Sequence, residues 1–136
     1  MMFFLNCDGG SRGNPGPSSS GAVLFDDNEK IIDSVGEYLG IKTNNYAEYN
    51  AVSIGIKMAL KNAVEDITIR LDSQLIVRQM SGMYKIKSPH LILIQNEING
   101  LLKYFTTYQF KHVYREFNKD ADSVVNEVLD KQKLNS

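Results

Sequence analysis

The sequence predicts an α/β fold in which helices flank a mixed β-sheet. Strand-like apolar segments alternate with segments of helical apolar spacing, and the first three elements are all strands. The full order is βββαβααβα, so the first strand must pair with a hairpin on one side and with later strands on the other. With 136 residues, 43% hydrophobic and 23% charged, one soluble domain over residues 1–136 is expected.

The first half of the chain contains three strands and a long helix. Phe3 to Cys7 predicts the first strand, while Val23 to Asp26 and Lys30 to Val35 flank a polar turn and predict a hairpin. The helix that follows has Asn45 as its predicted N-cap. Glu48 then occupies the N3 position of a capping box.

The second half reads as strand, two helices, strand and helix. Apolar alternation at 67–71 predicts a strand ending at Asp72, and residues 108–114 predict the last strand. Each helix start carries a capping residue, and these predicted N-caps are Ser73, Ser88 (before Pro89) and Asn118.

Composition and charge narrow the class of protein. The net charge of −1 gives no global attraction to nucleic acid, although basic residues gather at 78–90 and at 111–119. No apolar run approaches the ~20 residues of a membrane span, so no membrane partner is expected. Cys7 is the only cysteine, which excludes an intrachain disulfide. A cytoplasmic location is therefore expected, with Cys7 as a small buried residue.

Four carboxylates stand where a metal site would need them. Asp8 opens a Gly-rich loop after the first strand and Asp72 ends the fourth, and open α/β sheets bind ligands at adjacent strand ends. Glu48 and Asp122 lie in the first turns of helices that can cover that end. Four converging acids repel unless divalent cations neutralise them, and all-oxygen ligands suit Mg²⁺ or Mn²⁺ rather than zinc.

Each acid also has a structural explanation when it is taken singly. Asp8 can start a turn, Glu48 can complete a capping box, Asp72 can cap the next helix, and Asp122 favours the helix dipole. Only the joint pattern favours catalysis. Two ions ~3.5–4 Å apart would activate a water and stabilise the leaving oxygen of a phosphodiester.

Four motifs carry a resemblance to a known family. They are DGGSRGNPG at 8–16, TNNYAEY at 43–49, DSQLIV at 72–77 and REFNKDAD at 115–122. With them the chain closely resembles ribonuclease H of the type 1 class over nearly its whole length. The resemblance implies a ribonuclease H-like fold with a five-stranded mixed sheet, three antiparallel strands and then parallel ones, flanked by helices. It also implies endonucleolytic hydrolysis of the RNA strand of RNA–DNA hybrids, leaving 5′-phosphate and 3′-hydroxyl ends.

The resemblance implies a role for each acid. Asp8 looks like the ligand shared by two Mg²⁺ ions, for which Mn²⁺ is a possible substitute. Glu48 and Asp72 look like ligands of one ion and Asp122 like a ligand of the other, whose water would attack in line.

The loop before the last acid departs from the pattern of many members, which carry a histidine there. Here Arg115 stands on that loop, and similar archaeal and bacterial members also place arginine there. A role in handling metal or phosphate is expected for Arg115, and a plain surface cation at a strand end is the alternative. Glu116 is a further candidate on the loop, whereas neither His90 nor His112 is expected to be catalytic.

The resemblance also implies contacts with the hybrid duplex. Asn14, Asn44 and Gln74 match positions that contact the minor groove, where 2′-hydroxyls mark the RNA strand. Thr43 resembles part of a pocket for a DNA-strand phosphate. That pocket is expected to be weaker here because Ile41 stands where some members have arginine. The glycines of the first motif are expected to let the backbone approach an RNA sugar closely.

Some members grip DNA with a Trp- and Lys-rich helical protrusion, which this chain lacks because only residues 83–87 join Gly82 to Ser88. Lys85 and Lys87, with Tyr84, are expected to be a reduced substitute. We therefore expect a monomer that binds hybrid more weakly, and with a shallower salt dependence, than members with the protrusion.

Two other functions stay open at this point. One is a differently specific nuclease of the same superfold, such as a resolvase or transposase core, against which Asn44 and Gln74 argue. The other is a non-catalytic nucleic-acid-binding module, against which the presence of all four acids argues.

Overall fold

The computed structural model describes residues 1–134 and contains the predicted order of elements. The strands are β1 (Met2–Ser11), β2 (Gly16–Phe25), β3 (Ile31–Lys42), β4 (Asp66–Leu71) and β5 (Thr107–His112). The helices are α1 (Asn44–Lys61), α2 (Gln74–Met80), α3 (Pro89–Leu102) and α4 (Lys119–Leu134), with a 3-10 turn at Arg115–Phe117. The predicted five-stranded mixed sheet flanked by helices is confirmed.

The five strands form one sheet in the order β3-β2-β1-β4-β5. β1 is central as predicted, antiparallel to β2 and parallel to β4. The parallel β4–β5 pair extends the sheet on the far side. Strands β1, β4 and β5 therefore point their carboxyl ends to the same edge, which is the edge at which ligands bind in open α/β sheets.

Helices cover the sheet from both sides. On one face α1, α2 and α3 enclose the main core, which includes the buried Leu5 and Cys7 of β1. On the other face lies α4, since a β-carbon built on Gly21 or Gly36 would touch its Val124 side chain. Successive strand residues point to opposite faces, so β1 contacts both helix layers.

Several predicted boundaries are wrong. β2 begins at Gly16 rather than at Val23, β3 continues to Lys42 rather than ending at Val35, and β5 ends at His112. β1 continues beyond Cys7 to Ser11, because Asp8 to Ser11 stay paired with β2, and only residues 12–15 form the connecting loop. The N-cap of α1 is Thr43 rather than Asn45, since the Thr43 hydroxyl accepts a hydrogen bond from the Tyr46 amide. Glu48 therefore lies beyond the N3 position, and the capping-box explanation of this acid fails.

The other predicted caps are partly confirmed. Ser73 caps α2 through its hydroxyl, and Ser88 precedes α3 with Pro89 at the first helical position. Asn118 precedes α4, but its side chain donates into the sheet. Within the described residues, no helix combines the length and apolarity that crossing a bilayer requires.

Candidate active site

Asp8 and Asp72 come together because their strands are parallel neighbours. The paired register of β1 and β4 ends at Cys7 opposite Leu71, and each acid is the next residue along its chain. Asp8 is 7% exposed and Asp72 half-buried. Asp8 thus lies within the extended β1 rather than in a loop, and its backbone is fixed by pairing with Gly21 of β2.

Glu48 reaches the same place because α1 lies directly on β1. A β-carbon built on Gly9 would overlap the backbone of Ala47 and Glu48. The buried Ser20 hydroxyl also donates to the Ala47 carbonyl oxygen at 2.6 Å, which ties this turn of α1 to β2. One carboxylate oxygen each from Asp8, Glu48 and Asp72 lies within 4.8 Å of the others.

Asp122 completes the set from the opposite helix layer. It lies in the first turn of α4, is exposed, and lines a cleft of about 240 Å³ with the other three acids. Its carboxyl group is within hydrogen-bonding reach of Asp8. All four predicted acids therefore face one cleft at the carboxyl ends of β1 and β4.

The clustering of acids is electrostatically unfavourable in the absence of cations. Burial, followed by repulsion from Asp72 and then by the contacts with Asp122 and Glu48, raises the pKa of Asp8 to about 8. Burial and Asp72 raise the pKa of Glu48 to about 7, and Arg115 acts in the opposite direction. The fold therefore keeps these groups together although their burial and mutual repulsion disfavour the charged forms.

The donor set fits a hard divalent cation. The three clustered groups, Asp8, Glu48 and Asp72, offer only carboxylate oxygens, which suit Mg²⁺, Mn²⁺ or Ca²⁺. A cation would also relieve the repulsion that raises the pKa of Asp8 and Glu48. The neighbouring Cys7 is fully buried, and burial raises the pKa of its thiol far above the ordinary value, so a thiolate ligand is disfavoured.

Asn118 holds one of the acids from behind. Its side chain is fully buried, and Nδ2 donates to the Cys7 carbonyl oxygen at 2.9 Å and to Asp72 Oδ2 at 3.2 Å. Its own carbonyl accepts from the Asp122 amide at 3.1 Å. Within the described residues its Oδ1 has no partner. One side chain thus links β1, Asp72 and the start of α4.

Arg115 lines the cleft from the 3-10 turn. The turn is anchored by Asn6, whose Nδ2 donates to the Phe117 carbonyl oxygen at 3.2 Å. Arg70 in turn donates to Asn6 Oδ1 at 2.6 Å. Glu116 is exposed on the same turn and is not part of the cleft wall.

The two histidines lie outside the cleft wall. His112 ends β5 and packs edge-on against Tyr114, with ring centroids 5.6 Å apart. His90, in the first turn of α3, lines a separate groove. That neither histidine is catalytic stays a prediction.

Asn14 and Asn44 join the β1–β2 loop to the start of α1. The Asn14 Oδ1 accepts from the Asn44 amide at 3.2 Å, and the Asn44 Oδ1 accepts from the Ser11 amide at 2.7 Å. Because backbone N–H groups can only donate, these bonds fix which end of each side-chain amide is oxygen. Both Nδ2 groups are left without a recorded partner within the described residues.

The remaining predicted substrate contacts are spread around this centre. Asn44 lines the acid cleft, whereas Thr43 and Asn14 line a neighbouring groove of about 550 Å³ that also includes Lys42. Lys42 lies 4.8 Å above the Tyr46 ring and supplies a cation one residue after Ile41. Gln74 is exposed at the start of α2, outside both cavity walls.

Lys85 and Lys87 are exposed on the short segment between α2 and α3 and line neither cavity. Their neighbour Tyr84 is held by Arg78, whose guanidinium lies 5.6 Å from the ring centroid and whose Nη1 donates to the hydroxyl at 3.2 Å.

Sequence reasoning gave no site role to Arg12 or Asn126, which both line the acid cleft. The available signal for Arg12 was that it is the single basic residue of the Gly-rich motif. Nothing in the sequence indicates a site role for Asn126, because an asparagine one helical turn after Asp122 is typical of an ordinary surface position. The prediction that position 9 is glycine so that an RNA sugar can approach the backbone is wrong. The backbone of α1 already occupies the space that a β-carbon at Gly9 would need.

Comparison with known proteins identifies the family. A family model described as reverse transcriptase-like matches residues 6–128. The chain is 36% identical to RNase H1 from the halophilic archaeon Halobacterium salinarum NRC-1, with a TM-score of 0.93, over 96% of this chain and 99% of that one. The chain belongs to the type 1 ribonuclease H family. The solved structure of LC11-RNase H1 in complex with an RNA/DNA hybrid is also 36% identical, with a TM-score of 0.89, over 96% of this ribonuclease H chain and 98% of that one.

One relative is much longer than this chain. This ribonuclease H chain is 35% identical over 131 residues to the bifunctional protein Rv2228c of Mycobacterium tuberculosis. The match covers 96% of this chain but 36% of that protein, so the chain spans little more than a third of its length.

Proposed function

We propose that this protein is an endonuclease that hydrolyses the RNA strand of RNA–DNA hybrids, leaving 5′-phosphate and 3′-hydroxyl ends. The observation that carries the proposal is the convergence of carboxylate oxygens from Asp8, Glu48 and Asp72 within 4.8 Å, with Asp122 on the same cleft. The similarity to LC11-RNase H1, solved with an RNA/DNA hybrid, supports the choice of substrate.

The acids are proposed to hold two Mg²⁺ ions. Asp8 is central, since it contacts acids from both helix layers, and would be shared between the two ions. Glu48 and Asp72 would hold one ion and Asp122 the other. Once bound, two divalent ions supply an activated water and stabilise the leaving oxygen of the phosphodiester. Mn²⁺ offers the same coordination chemistry as an alternative.

The chain's own groups prepare this site. The Gly9–Ala47 contact and the Ser20 hydrogen bond hold Glu48 against β1, while Asn118 orients Asp72. Such preorganisation lowers the reorganisation needed during reaction. Arg115 lines the cleft and reduces its net negative charge, which supports the proposal that it meets a phosphate there.

Substrate reading is proposed to depend on side-chain amides. Because the oxygens of Asn14 and Asn44 already accept backbone hydrogen bonds, each presents Nδ2 as a donor. Donors of this kind match the acceptor atoms of the minor groove and the 2′-hydroxyl oxygens of the RNA strand. Gln74 would extend these contacts, and Thr43 with Lys42 would receive a DNA-strand phosphate. We also propose that the protein is a monomer in the cytoplasm.

A panel of labelled substrates tests the function. Hybrid, double-stranded RNA and double-stranded DNA are incubated with Mg²⁺, with Mn²⁺ or with a chelator, and the end groups of the products are determined. We expect cleavage of the hybrid's RNA strand only when metal is present. Cleavage of DNA duplex at an equal rate would favour a nuclease of other specificity, and binding without cleavage would favour the non-catalytic module.

A further inference from the structure

Arg12 lies at the end of the β1 hairpin, on the rim of the acid cleft, with its side chain 42% exposed. Nothing in the chemistry proposed above uses it. We propose that Arg12 binds a backbone phosphate of the RNA strand next to the scissile one. This inference rests on the proposed hybrid-cleaving function and extends it to a further substrate-binding residue.

The backbone of Arg12 is held in one place. Its amide donates to the Pro17 carbonyl oxygen at 2.8 Å across the hairpin. On the other side, a β-carbon built on Gly16 would overlap the Arg12 carbonyl group. Because the main chain is fixed on both sides, only the side-chain torsions decide where the guanidinium points.

Two α4 side chains set that direction. The Arg12 Nη2 donates to Asp130 Oδ1 at 2.7 Å and to Asn126 Oδ1 at 3.4 Å. Asn126 also donates to the Asp122 carbonyl oxygen at 3.1 Å, so the guanidinium is tied to the turn of α4 that carries a cleft acid. The guanidinium therefore lies along α4 at the rim of the cleft, because Asn126 lines the cleft and Asp130 lies one turn further along the helix.

The donors that remain match a phosphate. Both contacts use the same nitrogen, and within residues 1–134 the Arg12 Nη1 and Nε have no recorded partner. A planar guanidinium can give two parallel hydrogen bonds to phosphate oxygens. Among the described residues that line this acidic cleft, the only cations are Arg12 and Arg115. A polyanionic strand entering the cleft would therefore meet Arg12 on the α4 side.

A purely structural role explains less. An ion pair whose two side chains are 42% and 65% exposed contributes little to stability. If Arg12 only tethered the hairpin to α4, removing either partner of the pair would have the same effect. The two roles therefore predict different outcomes for Arg12 and Asp130.

The test compares Arg12→Ala with Asp130→Asn, since both break the ion pair but only the first removes the cation. Lys57→Ala is the charge control, because Lys57 pairs with Glu97 at 2.6 Å away from the cleft. For each protein, hybrid cleavage is measured with Mg²⁺. The affinity for a labelled hybrid is measured by fluorescence anisotropy with Ca²⁺ in place of Mg²⁺, over a series of salt concentrations.

For Arg12→Ala we expect KM and Kd to rise about tenfold while kcat stays within about threefold of wild type. The slope of log Kd against log salt should become shallower by about 0.7–1. Asp130→Asn and Lys57→Ala should keep the wild-type slope. An unchanged slope for Arg12→Ala, or equal changes for Arg12→Ala and Asp130→Asn, would overturn the inference. A wild-type protein that binds hybrid through Arg12 but cuts no RNA would instead overturn the proposed function alone.

Discussion

The backbone of Ala47 lies directly against Gly9, so a β-carbon at Gly9 would overlap the Ala47 carbonyl group and the Glu48 amide nitrogen. The requirement for glycine here is one of space, because Gly9 is not among the glycines with a left-handed φ. The contact places Asp8 and Glu48, the flanking residues, beside each other. The distance between Asp8 and Glu48 is thus set by the contact between the backbones of β1 and α1.

Replacing Gly9 by alanine should therefore push α1 away from β1. We expect a loss of roughly 2–4 kcal/mol in the free energy of unfolding, since the overlapped atoms are backbone and cannot rotate aside. Hybrid cleavage should fall roughly 100-fold, because displacement of a catalytic group by about 1 Å has that effect. Chemical denaturation and steady-state kinetics measure the two effects.

Gly100→Ala is the matched control. Gly100 lies within α3, and a β-carbon there meets nothing within 4 Å. Alanine should stabilise that helix by roughly 0.5–1 kcal/mol without changing cleavage. A Gly9→Ala variant that keeps wild-type activity would show that the contact does not set the position of Glu48.

Much of this arrangement could be predicted because strand adjacency follows from element order. Asp8 and Asp72 were placed together by the expectation that β1 and β4 are parallel neighbours, which the register confirms. The origin of Gly9 could not be predicted, since it depends on how closely α1 approaches the sheet. The hydrogen bonds from Asn118 to Cys7 and Asp72 could not be predicted either, because an asparagine just before a helix is typical of an N-cap.

The N-cap of α1 was predicted at the wrong residue, although the motif that contains Thr43 was identified correctly. Both Thr43 and Asn45 have side chains that cap helices well, and propensity alone does not separate them. The neighbouring Asn44 decides, because its side chain is drawn back to the Ser11 amide and its backbone amide bonds to Asn14. These are long-range contacts, so the helix start was misplaced by two residues although the helix itself was predicted.

Without metal, stability should fall as pH rises from about 5 to about 8. The pKa of Asp8 is raised from 3.8 to about 8 and that of Glu48 from 4.5 to about 7. In this window the unfolded chain has released protons that the folded chain still holds, so ionisation favours unfolding. The pKa values of Glu29, Asp33 and Glu97 are lowered by folding. The effect of these groups on stability therefore changes with pH only below this window.

Thermal unfolding with a chelator at several pH values measures this effect. Added Mg²⁺ should restore stability most strongly near pH 8, where protons no longer compete for the carboxylates. Asp8→Asn should flatten the pH dependence. A metal-free Tm that rises steadily from pH 5 to pH 8 would contradict the clustering of these acids.

Asn118→Ala should uncouple Asp72 from the sheet. Removing Nδ2 leaves the buried Cys7 carbonyl oxygen without that donor, at a cost of roughly 1–3 kcal/mol. Metal affinity and kcat should both fall, because Asp72 loses its fixed orientation, while KM for hybrid changes little. Titration calorimetry and kinetics measure these quantities.

Thr68→Val controls for the loss of stability alone. Thr68 is buried on β4, and its hydroxyl accepts a hydrogen bond from Gln109 at 2.9 Å. We expect a cost of about 1 kcal/mol with unchanged kcat and metal affinity. If Asn118→Ala and Thr68→Val behaved alike in metal binding, Asn118 would have only a structural role.

The segment between α2 and α3 should contribute modestly to hybrid binding. The double variant Lys85→Ala, Lys87→Ala should raise KM a few-fold and make the salt dependence shallower by up to about 2 in the slope. A ribonuclease H with the basic protrusion, measured alongside, should show a steeper slope than the wild-type protein. Equal slopes for the two wild-type proteins would contradict weaker binding of DNA by this segment.

The most direct test is cleavage of a labelled hybrid by wild type and Asp8→Asn in Mg²⁺. Asp8 contacts the acids of both helix layers, so its loss should disable both proposed ion positions. We expect a loss of roughly 1,000-fold or more in kcat, equivalent to about 4 kcal/mol of transition-state stabilisation, with a folded variant by circular dichroism. Cleavage by Asp8→Asn at near the wild-type rate would contradict catalysis at this carboxylate cluster.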